Sequence, residues 1–285
     1  MSKLKIAIQK NGRLHEDSLQ LLKDCGIAIN NGKEQLKVVV DNFPLEILYL
    51  RNSDIPQYVE DGTVDIAIIG NNLLAETQKK VTVVEKLGFS KCRVSLAVPK
   101  EITENSINFF NGKKIATSYP VTLKAFLDQN NIQAEIHVIS GSVEIAPNIG
   151  LADGICDIVS SGSTLFKNGL RETQVILNSE AVLVKSLQLS EGQEALLEKL
   201  LFRIKAVLRA KNSKYILLNV PNEKIEAVTK ILPVLKSPTL LPLALEGWSS
   251  LHSVILENQF WDVIDELKAA GAEDILIVPI DKMVI

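Results

Sequence analysis

The sequence predicts an α/β protein of two lobes around a cleft, followed by a separate β-α-β-β-α-β unit. Three observations predict it. Short β-branched runs alternate with helical patterns over residues 5–186. The run Val64–Gly70 (VDIAIIG) is apolar on both faces, as a strand in the middle of a covered sheet must be. From Lys214 onward the order changes to strand, helix, strand, strand, helix, strand.

The elements follow in order. Lys5–Ile8 reads as a strand. Asp17–Cys25 reads as a helix, with Leu19, Leu22 and Cys25 three apart and Gly26 placed to end it. Lys37–Val40 and Leu45–Leu50 pair as a hairpin, Ser53–Glu60 is a short helix, and Val64–Gly70 is a buried strand. A second group runs through strands Arg93–Pro99 and Lys114–Thr117, helix Val121–Gln129 and strand Glu135–Ile139. It continues with helix Val143–Ala152 and strand Ile155–Val159. Thr173–Ser186 returns as one strand or two. Ser190-Glu191-Gly192-Gln193 carries a capping-box pattern, so a long helix should run from there to about Lys211. Lys211–Lys214 reads as a linker. The last unit has strand Tyr215–Val220, helix Asn222–Ile231, strands Thr239–Ala244 and Ser249–Leu256, helix Asn258–Ala270 and strand Asp274–Ile280, a ferredoxin-like arrangement. Core packing is the expected role of Trp248, Trp261, Phe260, Ile264 and Leu267 there.

Composition excludes several classes of function. Of 285 residues, 46% are hydrophobic and 23% charged, the balance of a soluble globular protein. Lys and Arg number 31 against 34 Asp and Glu, so the chain lacks the basic surplus of a sequence-independent nucleic-acid binder. Residues 214–285 hold 6 basic and 10 acidic residues, which sets an acidic module apart from a nearly neutral body. No apolar run approaches the roughly 18 residues of a membrane span, and the N-terminus has no signal-peptide core, so the expected location is the cytoplasm. Cys25, Cys92 and Cys156 are too few for a disulfide scaffold. His15, His137 and His252 show no metal-ligand spacing.

Chemistry concentrates in Cys156-Asp157-Ile158-Val159-Ser160-Ser161-Gly162-Ser163-Thr164-Leu165. A buried strand delivers Asp157, and a loop of small hydroxyl residues follows. Hydroxyls and backbone amides at a helix start suit a phosphate, and Gly162 lets the backbone come close. A carboxylate at the strand end can accept hydrogen bonds from ribose hydroxyls, so the pair points to a phosphoribosyl group. The competing reading is an ordinary strand-to-helix turn with a capping serine.

The longer context resembles a family signature. Glu144, followed by Gly150-Leu151-Ala152-Asp153-Gly154-Ile155 and the Cys156–Leu165 segment, resembles the signature of the ATP phosphoribosyltransferases. Gln9-Lys10-Asn11-Gly12-Arg13-Leu14, Asp65–Gly70 and Ile115-Ala116-Thr117-Ser118-Tyr119-Pro120 are similar to other segments of that family, and the C-terminal unit resembles its long form. The resemblance implies a periplasmic-binding-protein-like catalytic body, with residues 1–90 and 180–211 as lobe I and 91–179 as lobe II. Residues 212–285 become a regulatory, histidine-binding domain. It implies condensation of ATP with 5-phosphoribosyl 1-diphosphate to N1-(5-phosphoribosyl)-ATP and diphosphate, the first step of histidine biosynthesis. It also implies Mg²⁺, feedback inhibition by histidine, and a homo-oligomer (dimer and hexamer). The metal ligands are left unassigned.

Residue by residue, the resemblance makes Asp157 the holder of the ribose hydroxyls and Ser160, Ser161, Gly162, Ser163 and Thr164 the cradle of the 5-phosphate. Glu144 binds the same ribose or metal-bound water. Lys10 and Arg13 contact nucleotide and diphosphate, with Arg51 joining them. Asn72 and Tyr119 lie near the adenine nucleotide, although Asn72 stands where some relatives carry aspartate. Asn219, Leu235, Ser237, Thr239 and Asp274 mark the histidine site. Two alternatives are a non-catalytic solute receptor, which shares the two-lobed fold, and a phosphoribosyltransferase acting on a different nitrogen base, whose usual acidic-pair motif is not here and in which the C-terminal unit has no role.

Overall fold

The computed structural model describes residues 3–29, 35–232 and 237–284. The chain divides into two units, Met1–Lys23 with Ile27–Leu197, and Asp24–Gly26 with Glu198–Ile285. The elements of the first are β1 (Leu4–Gln9), α1 (Arg13–Asp24), β2 (Lys37–Val39), β3 (Leu45–Leu50), α2 (Ile55–Glu60), β4 (Ile66–Gly70), α3 (Asn71–Thr77) and β5 (Thr82–Lys86). Then come β6 (Cys92–Pro99), β7 (Lys114–Thr117), α4 (Pro120–Gln129), β8 (Glu135–Val138), β9 (Gly154–Val159), α5 (Ser163–Lys167), β10 (Leu170–Ser179) and β11 (Ala181–Lys185). Helix α6 (Glu191–Lys211) begins in the first unit and ends in the second.

Two sheets organise this first unit as the two lobes of a periplasmic-binding-protein-like body. One has the order β2-β3-β1-β4-β11-β5, the other β10-β6-β9-β7-β8. In the first, β3, β1 and β4 are parallel, with Gln9 opposite Leu50 and Ala7 opposite Ala67. In the second, β9, β7 and β8 are parallel. Ile6, Ile8, Ile47, Ile66 and Ile68 are fully buried, as the double-sided apolar pattern of the central strands requires. The chain crosses between the sheets twice, at residues 87–91 and at Glu180. The crossings are tied together: Leu87 N–H donates to Ala181 O (2.9 Å), and Ala181 N–H to Phe89 O (3.0 Å).

Strand β9, which delivers Asp157, starts at Gly154 for a packing reason. A Cβ there would sit 2.8 Å from Phe110 Cε1 and 3.0 Å from the Ala97 carbonyl on neighbouring β6. Gly154→Ala should therefore lower stability by about 1–3 kcal/mol, the usual cost of forcing atoms into a filled core. Chemical denaturation reads this as a lower midpoint with an unchanged slope.

Several boundaries differ from the sequence expectation. Helix α1 begins one turn early, at Arg13. Gly12 turns the chain at φ +91° and its carbonyl accepts from Glu16 N–H (3.2 Å); the apolar spacing starts only at Leu19. The helix expected over Val143–Ala152 is a single 3-10 turn, Val143–Ile145. Pro147 cannot supply the amide that would continue it, and Gly150 sits at φ +73°. Helix α3 and edge strand β5 carried no clear periodic signal. Lys211–Lys214 is not a linker, because the next strand begins at Ser213, whose hydroxyl donates to Arg209 O (3.0 Å). The capping box forms: Gln193 Oε1 accepts from Ser190 N–H (2.9 Å) and Oγ–H (2.8 Å).

The second unit continues with β12 (Ser213–Pro221), α7 (Ile225–Ile231), β13 (Thr239–Pro242), β14 (Trp248–Leu256), α8 (Glu257–Ala269) and β15 (Glu273–Pro279). Its sheet order β13-β14-β12-β15 is antiparallel throughout, the ferredoxin-like topology. Ile216, Leu218, Val220 and Leu251 pack against Val228 and Leu267 of the two helices. Trp261 does not join this core, contrary to expectation: it is 76% exposed, on the outer side of α8. Trp248 is half-buried. No helix among the described residues is long and apolar enough to cross a membrane.

Candidate active site

The parallel strands of each sheet end on the cleft, where open α/β sheets bind ligands. From the first sheet, the register of β1 against β3 places Lys10 and Arg51 side by side beyond their strand ends. Both are exposed, and Lys10 N–H donates to Leu50 O (2.9 Å). Arg13 opens α1 with its guanidinium 3.8 Å from Asp17, which also accepts from Ser90 Oγ–H (2.7 Å). A cavity of about 210 Å³ lies between the sheets, lined among others by Arg13, Asn52, Asn72, Lys91 and, from the second sheet, Ser160.

From the second sheet, β9 carries Asp157, whose carboxylate accepts from Ser118 Oγ–H (3.4 Å). Burial pushes the Asp157 pKa above its ordinary value, and the negative charge of Glu144 adds to the rise. Glu144 and Asp157 thus share one electrostatic environment, although they come from a turn and a strand. Beyond Asp157 the loop Ser160–Thr164 is largely exposed. Gly162 takes φ +79°, which a side chain would resist, and Ser161 Oγ–H donates to Ser163 Oγ (3.0 Å). The first amides of α5 are free of intrahelical partners by geometry, so amides and hydroxyls converge at this turn.

The loop is anchored by residues that sequence reading missed. Arg93 on β6 makes a two-pronged ion pair with Glu172 on β10, and its Nη1 donates to Ser160 O (3.1 Å). Ser95 Oγ–H also donates to Glu172 (2.7 Å). Arg93 holds the Glu172 carboxyl below the usual carboxylate range. No local pattern marks this pair, which lies 79 residues apart.

Asn72 and Tyr119 meet across the cleft. Asn72 is 5% exposed. Its amide N–H donates to Ser179 Oγ (2.9 Å), its Oδ1 accepts from the same hydroxyl (2.8 Å), and its Nδ2 lies 3.4 Å from Tyr119 Oη. Gly70 makes room for this, since a Cβ there would stand 2.4 Å from Asn72 Oδ1. Burial raises the Tyr119 pKa, and the charge of Asp157 raises it further. At the far end of α3, Glu76 accepts from Val121 N–H (2.8 Å), Thr122 N–H (2.9 Å) and Thr122 Oγ–H (2.7 Å), capping α4 of the other lobe.

In the second unit, Asn219 Nδ2–H donates to Asp274 Oδ2 (3.0 Å), and Asp274 sits at φ +48°. Thr239 lies opposite His252, and His252 opposite Leu217, so Thr239 and Asn219 share the sheet face turned away from α7 and α8. Ser237 Oγ–H lies 3.5 Å from Pro238 O. Leu235 lies outside the described residues. Cys25 and Cys156 are buried, while Cys92 is half-buried at the cleft. Among the described residues no cluster of three or more His, Cys, Asp or Glu forms a cage for a metal ion.

Comparison with known proteins gives a single answer. The family model described as ATP phosphoribosyltransferase matches residues 51–206, and that of the HisG C-terminal domain matches residues 210–282. The ATP phosphoribosyltransferase of Cytophaga hutchinsonii is 57% identical over 99% of this chain and 98% of its own. That of Phocaeicola vulgatus is 51% identical over 99% of this chain and all of its own. Among solved structures, the ATP phosphoribosyl transferase (HisG:HisZ) complex from Thermotoga maritima superimposes with a TM-score of 0.59 at 29% identity. It covers 71% of this chain and 98% of that one. With whole-length identity above half and both halves matched, this chain belongs to the long-form ATP phosphoribosyltransferase family.

Proposed function

We propose that the two substrates of the family reaction meet in this cleft, phosphoribosyl diphosphate on the Asp157 side and ATP on the side of β1, β3 and β4. The reaction joins adenine N1 to the ribose anomeric carbon and expels diphosphate, the first step of histidine biosynthesis. N1 is already a nucleophile, so the protein needs no covalent intermediate. Its task is to align N1 with the carbon and to stabilise the departing charge. Asp157 holds the ribose hydroxyls, and Glu144 assists at the ribose or at metal-bound water. The hydroxyls of Ser160, Ser161, Ser163 and Thr164 and the amides around Gly162 cradle the 5-phosphate. Lys10, Arg13 and Arg51 face the polyphosphates, and Asn72 with Tyr119 borders the nucleotide. Glu144 and Asp157 are the hard oxygen donors that would hold Mg²⁺ or its waters, and the ion would supply charge neutralisation for the departing diphosphate.

The observation that carries this reading is the half-buried Asp157 carboxylate beside a hydroxyl loop whose backbone Arg93 pins, facing cationic side chains across the cleft. The test follows formation of phosphoribosyl-ATP spectrophotometrically with both substrates and Mg²⁺. Product should require all three, and full turnover after thorough chelation would end the Mg²⁺ assignment.

The same reading makes residues 1–90 with 180–211 lobe I, 91–179 lobe II, and 212–285 a regulatory domain of a cytoplasmic homo-oligomer, dimer and hexamer. Free histidine binds there through Asn219, Leu235, Ser237, Thr239 and Asp274 and favours a less active assembly, with a coupling of roughly 1–3 kcal/mol. Calorimetry should show histidine binding to the intact protein and weaker binding to Thr239→Ala. No heat at millimolar histidine would remove the regulatory role and leave the catalytic one standing.

A further inference from the structure

On β6, Arg93 lies opposite Val159 and Ser95 lies opposite Asp157, so these four side chains stand on one face of the second sheet. Glu172 on β10 lies opposite Ala97 and extends the row on that same face. Arg93 gives its Nε and Nη2 hydrogens to the two oxygens of Glu172, and the buried Ser95 hydroxyl donates to the same carboxylate (2.7 Å). With the planar guanidinium fixed in this way, Nη1 donates to Ser160 O (3.1 Å). Every described peptide bond is trans, and in a trans peptide the C=O and the N–H point in opposite directions. A Ser160 carbonyl turned to Arg93 therefore turns the Ser161 N–H the other way. Ser161 is exposed, and no group among the described residues accepts from its N–H.

We propose that Arg93 is a positioning residue that fixes the Ser160–Ser161 peptide, so that the Ser161 N–H and not the Ser160 carbonyl meets the 5-phosphate of phosphoribosyl diphosphate. The inference rests on the assignment of the Ser160–Thr164 loop to that phosphate and deepens it. An exposed loop next to Gly162, which already sits at φ +79°, can turn a peptide over at little cost. A peptide turned over would set a carbonyl oxygen against a phosphate oxygen, two acceptors with no hydrogen between them. Arg93 prevents this because one rigid fork ties the Glu172 carboxylate and the Ser160 carbonyl together. A lysine can pair with Glu172, but its ammonium is a point charge without the fork that joins the two. Glu172 offsets the charge of Arg93, so the pair supplies the loop with orientation, and attraction for the phosphate comes from the amides and hydroxyls themselves. Arg93 touches no substrate in this role and moves no proton. ATP, on the side of β1, β3 and β4, does not meet this peptide, so the effect of Arg93 is confined to one substrate.

The test compares the full-length wild type with Arg93→Lys and Glu172→Gln in steady-state assays, with ribose 5-phosphate as a competitive inhibitor that reports on the 5-phosphate alone. Arg93→Lys should raise KM for phosphoribosyl diphosphate by about ten- to a hundred-fold. It should weaken inhibition by ribose 5-phosphate by the same factor, and leave KM for ATP and the saturated kcat close to wild type. Its melting temperature should also stay close, because the ion pair and the Ser95 bond persist. Glu172→Gln should shift the same two constants in the same direction by less, and the double variant should be no worse than Arg93→Lys alone, since both act through one bond. Should the lysine not fit, Arg93→Ala repeats the test, and guanidinium below denaturing concentrations should restore part of its phosphoribosyl diphosphate use. An unchanged KM for phosphoribosyl diphosphate, an equal rise for ATP, or a lower melting temperature with unchanged inhibition by ribose 5-phosphate would overturn the proposal. Thr164→Ala separates the two levels. If it weakens ribose 5-phosphate while Arg93→Lys does not, the loop assignment stands and the role of Arg93 falls; if neither variant weakens it, the loop assignment falls as well.

Discussion

Asp157→Asn is expected to make the ligand-free protein more resistant to heat while crippling its use of phosphoribosyl diphosphate. Burial, and then the Glu144 charge, raise the pKa of Asp157 above the ordinary 3.8. A raised carboxylate binds its proton more tightly in the folded than in the unfolded chain, so ionising it opposes folding. That cost is absent below about pH 3.8, grows as pH rises through the folded value, and is complete at neutral pH. The asparagine variant escapes it, so its gain in melting temperature should be full at pH 7 and vanish in acid. Activity moves the other way. Losing one charge-assisted contact costs about 1.5–3 kcal/mol, or ten- to a hundred-fold and somewhat more in kcat/KM. The acid limb of the wild-type pH profile for phosphoribosyl diphosphate should lie above the ordinary aspartate value. Thr164→Ala should lower the same rate without the thermal gain, because its hydroxyl is already exposed. Near-normal efficiency in both variants would remove this loop from the active site.

Glu76→Ala carries the second large effect. Its carboxylate accepts three hydrogen bonds from the start of α4, at 2.7–2.9 Å, although it belongs to α3. Removing it uncaps α4, at about 0.5–2 kcal/mol, and frees one end of the helix that joins the lobes. At the other end Asn72 still holds Ser179 and Tyr119. The expected result is a lower melting temperature together with higher KM values for both substrates, since alignment across the cleft suffers. Glu76→Gln, which keeps one acceptor oxygen, should recover part of both. A variant that melts early yet shows unchanged KM values would make Glu76 a helix cap and nothing more.

What sequence reading found and missed follows from where the information lies along the chain. Strand β9 and the Ser160–Thr164 loop are contiguous in the chain, so the buried strand, its Asp157 and the hydroxyl turn after it were legible as local structure. The β-α-β-β-α-β unit was legible because its topology follows from element order. Arg93 with Glu172, Glu76 with Thr122, and Asn72 with Ser179 are long-range pairs that only the packed sheets bring together. The false helix at Val143–Ala152 shows that apolar spacing yields to Pro147 and Gly150. Trp261 shows that aromatic character does not by itself place a residue in a core.

The position of β11 between β4 and β5 constrains how the molecule can be built. Among the described residues strand β5 pairs only with β11, and β4 has β11 on its outer side. As the chain emerges from the ribosome, β5 therefore has no sheet to join until residues 181–185 have been made, after the whole second sheet. Through that interval the apolar edge of β4 (Ile66–Gly70) lacks its final neighbour, an exposed template for unwanted pairing. The discontinuous lobe is thus a late-closing one. Its long sequence separations put it among slowly assembling topologies, so translation pauses and chaperone contact should matter most while residues 92–179 are being synthesised.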